Sequence, residues 1–103
     1  MGQYFRIEKV SDSDGIVELK VGFGEPALHP EMLPDAVATM KALALPGGKL
    51  IRFNGPCSVL IGMALAHQVA YLYSAVAYYE PKEAKDVVCI SHNPDFHVGQ
   101  HLV

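Results

Sequence analysis

Residues 48–79 read GKLIRFNGPCSVLIGMALAHQVAYLYSAVAYY, and the way this stretch divides decides the fold. Lys49–Phe53 is short and mostly apolar, which suits a strand. Pro56 suits the first position of a helix, where its missing N–H costs nothing, so a helix is predicted over Pro56–Tyr73. Ser74–Tyr79 is apolar and strand-like. The connection between the first strand and the helix is FNGPCS, Phe53–Ser58. It is either a plain tight turn or a cradle for an anionic group. Val59–Tyr79 carries no formal charge and is long enough to consider as a membrane span. His67, Gln68 and Ser74 interrupt it, so it reads as a buried helix followed by a buried strand.

Outward from this centre the pattern is regular. Tyr4–Val10 alternates, with Phe5 and Ile7 on one face, and predicts a strand. Ser11–Gly15 is a turn. Ile16–Phe23 alternates again, so the first two strands form a hairpin. Pro34 marks the first turn of a helix running to Leu45, with Leu33, Val37, Met40 and Ala44 on one face. Pro46-Gly47-Gly48 stops it. Glu80–Asp86 is a polar turn, Val87–Ser91 a buried strand, and His92 onward a tail of turn residues. The order is β-β-α-β-α-β-β. The third and fourth strands should be parallel, joined by a right-handed crossover. The fourth and fifth should pair as an antiparallel hairpin. This is a small mixed sheet with helices, an α/β domain of the Rossmann-like kind.

The chain has 103 residues, which suits one domain, and half of it is apolar. So small a domain gains from oligomerisation. The formal net charge of −3 argues against a protein that coats long DNA or RNA, which needs a broad basic surface. It leaves room for a small anionic ligand held by a few local groups. Met1-Gly2-Gln3 is polar and leads straight into a strand, so no signal peptide is expected. Cys57 and Cys89 stand in apolar surroundings and read as reduced, buried thiols of a cytoplasmic protein.

The residue types that carry chemistry are few. FNGPCS falls at the carboxyl edge of the sheet, where open α/β sheets place ligands. Gly55 permits close backbone approach, Asn54 and Ser58 offer hydrogen bonds, and the free N–H groups of the following helix favour phosphate. His67 lies within an apolar helix, where a satisfied core histidine is commoner than a catalyst. Tyr71 is one turn further on, close enough for ring contact. Glu80 ends the fourth strand and His92 the fifth. His92, His97, His101 and Asp95 match no standard zinc spacing. Cys57, at the N-terminus of the second helix, is where a thiol pKa can fall. No Ser-His-Asp or Cys-His constellation is legible. The second helix runs back across the sheet, so His67 should lie about 16 Å along its axis from Asn54. One edge then carries Asn54, Glu80 and Lys82, and the other carries His67 and His92. A site using both sets requires two subunits stacked head to tail.

Four segments, VGFGEPA (21–27), RFNGPCS (52–58), ALAHQVAYLYSAVAYYEPK (64–82) and VVCISHNPDF (87–96), stand in the same order as in a known family. The chain resembles the CRISPR-associated Csx-three proteins, the ring nucleases of type III systems. The resemblance covers most of the chain from Val21 on. It implies binding of cyclic tetra-adenylate and cleavage to linear products, action on short RNA 3′ ends with manganese, and dimers that stack head to tail and sandwich the ring. By position, His67 matches a family helix histidine, Glu80 its strand-end aspartate, Lys82 a basic residue after the proline, and His92 the histidine closing the last strand. These are the implied catalytic and metal-binding positions. Asn54, Gly55, Pro56 and Ser58 match the loop that takes the RNA backbone. Two departures stand out: Tyr71 replaces a second family histidine, and Glu80 is one methylene longer than aspartate.

Overall fold

A computed structural model describes residues 2–102. Eight elements follow one another: β1 (Phe5–Ser13), β2 (Ile16–Phe23), α1 (His29–Ala42), β3 (Gly48–Asn54), α2 (Val59–Val69), β4 (Tyr73–Glu80), β5 (Lys85–Ser91) and β6 (His101–Leu102). The six strands form one mixed sheet in chain order, β1-β2-β3-β4-β5-β6. β1 and β2 are antiparallel, β2, β3 and β4 parallel, and β4, β5 and β6 antiparallel. The expected α/β mixed sheet is present, with a sixth strand beyond those expected. The segment after His92 is therefore more than a tail. It folds back on β5 through Gly99 N–H to Val88 O and Val88 N–H to Gln100 O.

Both crossovers step the same way across the sheet, and that puts both helices on one face. Phe5, Ile7, Leu19, Ile51, Phe53 and Val76 of the strands meet Met32, Ala36, Ile61 and Leu65 of the helices in one buried core. The opposite face carries a smaller cluster, Leu50, Ala75, Ala77 and Val88, which Phe96 and Leu102 of the returning segment cover in part. On that face Arg52 reaches across the small Ala77 position to Asp86 at 3.1 Å and also lies 3.7 Å from Glu18. Three strands are tied by one guanidinium, whose planar fork suits two carboxylates.

Local chemistry explains where the elements begin and end. β1 continues past Val10 to Ser13, with a bulge at Val10, and the turn shrinks to Asp14-Gly15. Both have positive φ, 56° and 77°, the Asp-Gly geometry that matches the twist of a hairpin. α1 starts a turn earlier than Pro34 suggested. Leu28 caps it, Pro30 takes the first turn, and Pro34 lies inside without its N–H. The buried stripe is Met32, Ala36, Thr39 and Met40, rotated from the expected one because the helix register begins elsewhere. Asp35 on α1 accepts from the N–H groups of Tyr4 (2.8 Å) and Phe5 (3.0 Å), which pins the helix to β1. α2 is shorter at both ends than expected. Ser58 caps it, with Oγ accepting from Ile61 N–H at 3.2 Å, so Pro56 stands outside the helix. At the other end the sheet takes Tyr73: Gly48 N–H bonds Leu72 O at 3.0 Å. Tertiary pairing overrides the helical pattern there. None of the helices among the described residues is long and apolar enough to cross a membrane; the uncharged run 59–79 is α2 and β4.

Candidate functional site

The FNGPCS loop folds where β3 ends and α2 begins, and it lines a surface cleft of about 690 Å³. The volume lies in the range of small-molecule sites. Asn54, Gly55, Pro56 and Ser58 line one wall, and Tyr78 and Glu80 at the end of β4 line the other. The loop is held from beneath. Tyr78 stacks on Phe53 with ring centroids 5.8 Å apart, and its hydroxyl donates to Gly55 O at 2.8 Å. Gly55 has φ of 134°, and a Cβ built there would collide with the Val21 carbonyl. Only glycine fits this backbone at this approach. These ties fix the loop as one wall of the cleft.

The cleft does not arise from a reversal of strand order, the feature that opens a crevice in doubly wound sheets. Strand order runs without reversal among the described residues. The cavity comes instead from β4 outrunning the loop: Tyr78 pairs with Phe53, and Glu80 extends two residues further. Ser58 and Asn54 are the polar groups of one wall and Glu80 of the other. Glu80 Oε1 accepts from Lys82 N–H at 3.0 Å, which turns the chain and leaves Lys82 exposed beside the cleft.

The thiol and phenol beneath the loop are not acidic. Burial pushes the Cys57 thiol up, although the Tyr78 hydroxyl and the Ser58 backbone act the other way. Burial also pushes the Tyr78 phenol well above its ordinary value, helped by the neighbouring Cys57. The expectation of a lowered Cys57 pKa at the helix N-terminus fails because the side chain turns under the loop. Cys89 is exposed rather than buried. It is the extra residue of the β4–β5 bulge, where Val76 pairs with Ile90 and Ala77 with Val88.

His67 and His92 lie at the other end of α2. His67 is exposed, not a core residue, and its side chain makes no hydrogen bond among the described residues. The apolar neighbours in sequence misled because α2 is apolar on every side, its outer face included. His92 is exposed, and its ring hydrogen-bonds the carbonyl of Ala70, which caps the end of α2, at 2.9 Å. Tyr71 falls beyond α2 and is 80% exposed, so it shares no helix face with His67. The two-edge arrangement expected from the sequence is present: Asn54, Ser58 and Glu80 at one end of α2, His67 and His92 at the other. Among the described residues no three His, Cys, Asp or Glu side chains gather where a metal ion would take them. His67, Glu80 and His92 therefore do not fit a manganese site within a single chain.

One polar residue behind the cleft wall had no signal in the sequence. His29, the first residue of α1, places Nε2 3.1 Å from Ser58 Oγ. Twenty-nine residues separate the two, and only the packing of α1 against α2 brings their N-terminal ends together. Comparison of the chain with protein-family models, with curated proteins and with solved structures finds no match to any of them.

Proposed function

We propose that the protein is a ring nuclease of the type III CRISPR kind. It binds cyclic tetra-adenylate, cleaves it to linear products and so switches off antiviral signalling. The observation that carries this reading is the meeting of Asn54, Gly55 and Ser58 with Glu80 around one cleft. The Csx-three resemblance assigns the first three positions to the ligand and Glu80 to catalysis and metal binding. The separation of Glu80 from His67 along α2 supports a site completed between head-to-tail stacked copies, with His67 of one facing Glu80 of another. Val59 and Met63 on α2, 75% and 70% exposed, border an apolar groove that Phe53, Tyr78 and Ile90 line. Contiguous apolar surface of this kind supports a homodimer, and stacking extends it to tetramers or filaments.

Cleavage needs no protein nucleophile. A ribose 2′-oxygen attacks the adjacent phosphorus when the bound ring holds the two in line. His67 transfers a proton, Glu80 is the carboxylate partner, and Lys82 steadies the phosphate. An imidazole titrates near neutrality, which suits acid–base work. Manganese, where two subunits together supply its ligands, would polarise the phosphate. The same cleft would take short RNA 3′ ends. A second reading, a cyclic oligoadenylate sponge or sensor with little turnover, draws on exposed Tyr71 in the place of a family histidine. The deciding experiment incubates the pure protein with cyclic tetra-adenylate, with and without manganese, and reads products by chromatography and mass spectrometry. Linear products that vanish in His67→Ala and Glu80→Ala support the nuclease. Intact ligand from a tight complex supports the sponge. Neither binding nor cleavage sinks both.

A further inference from the structure

We propose that His29 and Ser58 form a proton relay in the cleft, with Ser58 touching the reacting ribose and His29 standing behind it. This rests on the ring-nuclease reading. The warrant is the hydrogen-bond inventory of one oxygen. A serine hydroxyl offers one donor and two acceptor sites. One acceptor site of Ser58 Oγ is filled by Ile61 N–H at 3.2 Å. Its donor is directed to His29 Nε2 at 3.1 Å when the imidazole is neutral with its proton on Nδ1. One acceptor site remains, and Ser58 lines the cleft. That site suits a ribose 2′-hydroxyl. If the imidazole is protonated, it donates to Ser58 instead, both acceptor sites are filled, and the serine can only donate into the cleft. The state of His29 thus decides whether Ser58 can receive a proton from the ligand.

The step balances as follows. The 2′-hydroxyl proton passes to Ser58 Oγ as the serine's own proton passes to His29 Nε2. The 2′-oxygen bonds phosphorus, and the bond from phosphorus to the 5′-oxygen breaks. The 5′-oxygen takes a proton from the imidazolium of His67 of a stacked copy. The products are a 2′,3′-cyclic phosphate and a 5′-hydroxyl. Ser58 is the catalytic residue here and His29 a positioning residue that also stores the proton. Titratable groups beside the pair or on the cleft walls include Glu31 in the first turn of α1, Cys57 in the loop, and Tyr78 and Glu80 on β4. The thiol and the phenol stay neutral because burial raises both.

The test measures affinity for cyclic tetra-adenylate and single-turnover cleavage from about pH 5 to about pH 9, a span that brackets imidazole titration. The proteins are wild type, His29→Gln, Ser58→Ala and Ser58→Thr, each first shown to melt as a folded protein. His29→Gln is expected to bind within about threefold of wild type and to cleave about 100-fold more slowly, and Ser58→Ala, which removes a group of the cleft wall, to lose affinity as well as cleavage. Ser58→Thr keeps a hydroxyl and a cap, and restores cleavage to within about tenfold. The acid limb of the wild-type rate disappears in His29→Gln and persists in Ser58→Thr. Wild-type cleavage with an unchanged rate and acid limb in His29→Gln overturns the relay and leaves the nuclease standing. Equal losses of affinity and cleavage in His29→Gln also overturn it, since the pair then only shapes the cleft. A wild type that leaves the ring intact overturns the nuclease reading, and the relay with it. Should His29→Gln fail to fold, the contrast between Ser58→Ala and Ser58→Thr decides.

Discussion

The two ends of α2 are built on different principles. At the N-terminal end nearly every group is committed: Tyr78 to Gly55, Ser58 to Ile61 and His29, Phe53 to Tyr78. At the C-terminal end His67 and Tyr71 stand in solvent, and His92 holds only a backbone carbonyl. A preorganised end costs little to order when a ligand arrives. An open end keeps its side chains free to meet another molecule. Under the proposed ring-nuclease function, the contrast makes one copy the source of a finished binding wall and of an unfinished reactive group, which suits assembly between copies.

Breaking the committed end should cost stability, and the largest effect is expected at Gly55. Gly55→Ala drives a Cβ into the Val21 carbonyl at a positive φ, and should destabilise by about 3 kcal/mol in urea unfolding. Asp35 belongs to neither end and serves as the control. Asp35→Ala orphans two N–H groups and should cost about 2 kcal/mol without altering ligand affinity. Its pH signature is separable. Burial raises the Asp35 carboxyl, but the N–H groups of Phe5, Tyr4 and Gln3 outweigh it and leave the pKa below the ordinary value. That stabilisation is complete above about pH 4 and is lost as pH falls through the lowered folded value. Asp35→Asn should therefore flatten the acid side of the stability profile. Tyr78→Phe removes one hydrogen bond beneath the loop and should cost about 1 kcal/mol, with a measurable loss of affinity as Gly55 loosens. The smallest stability effect is expected at the open end. His67→Ala should shift stability by less than about 0.5 kcal/mol while cleavage is lost. A His67→Ala protein that melts as poorly as Gly55→Ala would dissolve the distinction between the two ends.

The sheet was largely legible in the sequence because alternation over β1 and β2, and the apolar blocks of β3 to β5, are period signals that survive folding. Helix boundaries were not. Pro34 was read as a start, yet Pro30 already occupies that role, and nothing local distinguishes the two. The end of α2 was set by Gly48 pairing with Leu72 and Tyr73, a contact between residues far apart in sequence. For the site, Asn54, Gly55, Ser58 and Glu80 were legible from their places at strand ends, and the two-edge separation followed from helix length. The exposure of His67 was hidden by uniformly apolar neighbours. His29 was invisible, since its partner is decided by how two helices pack.

The sheet runs in chain order, each strand beside the one made before it. No strand must wait for a distant one, and none is inserted between two already paired. Such a layout favours short loop closures and quick folding. It also means the domain can grow by accretion as the chain emerges during synthesis, each new strand covering the edge left by its predecessor. The cleft is then finished late, when β4 docks beside β3 and Tyr78 fixes the loop laid against Val21.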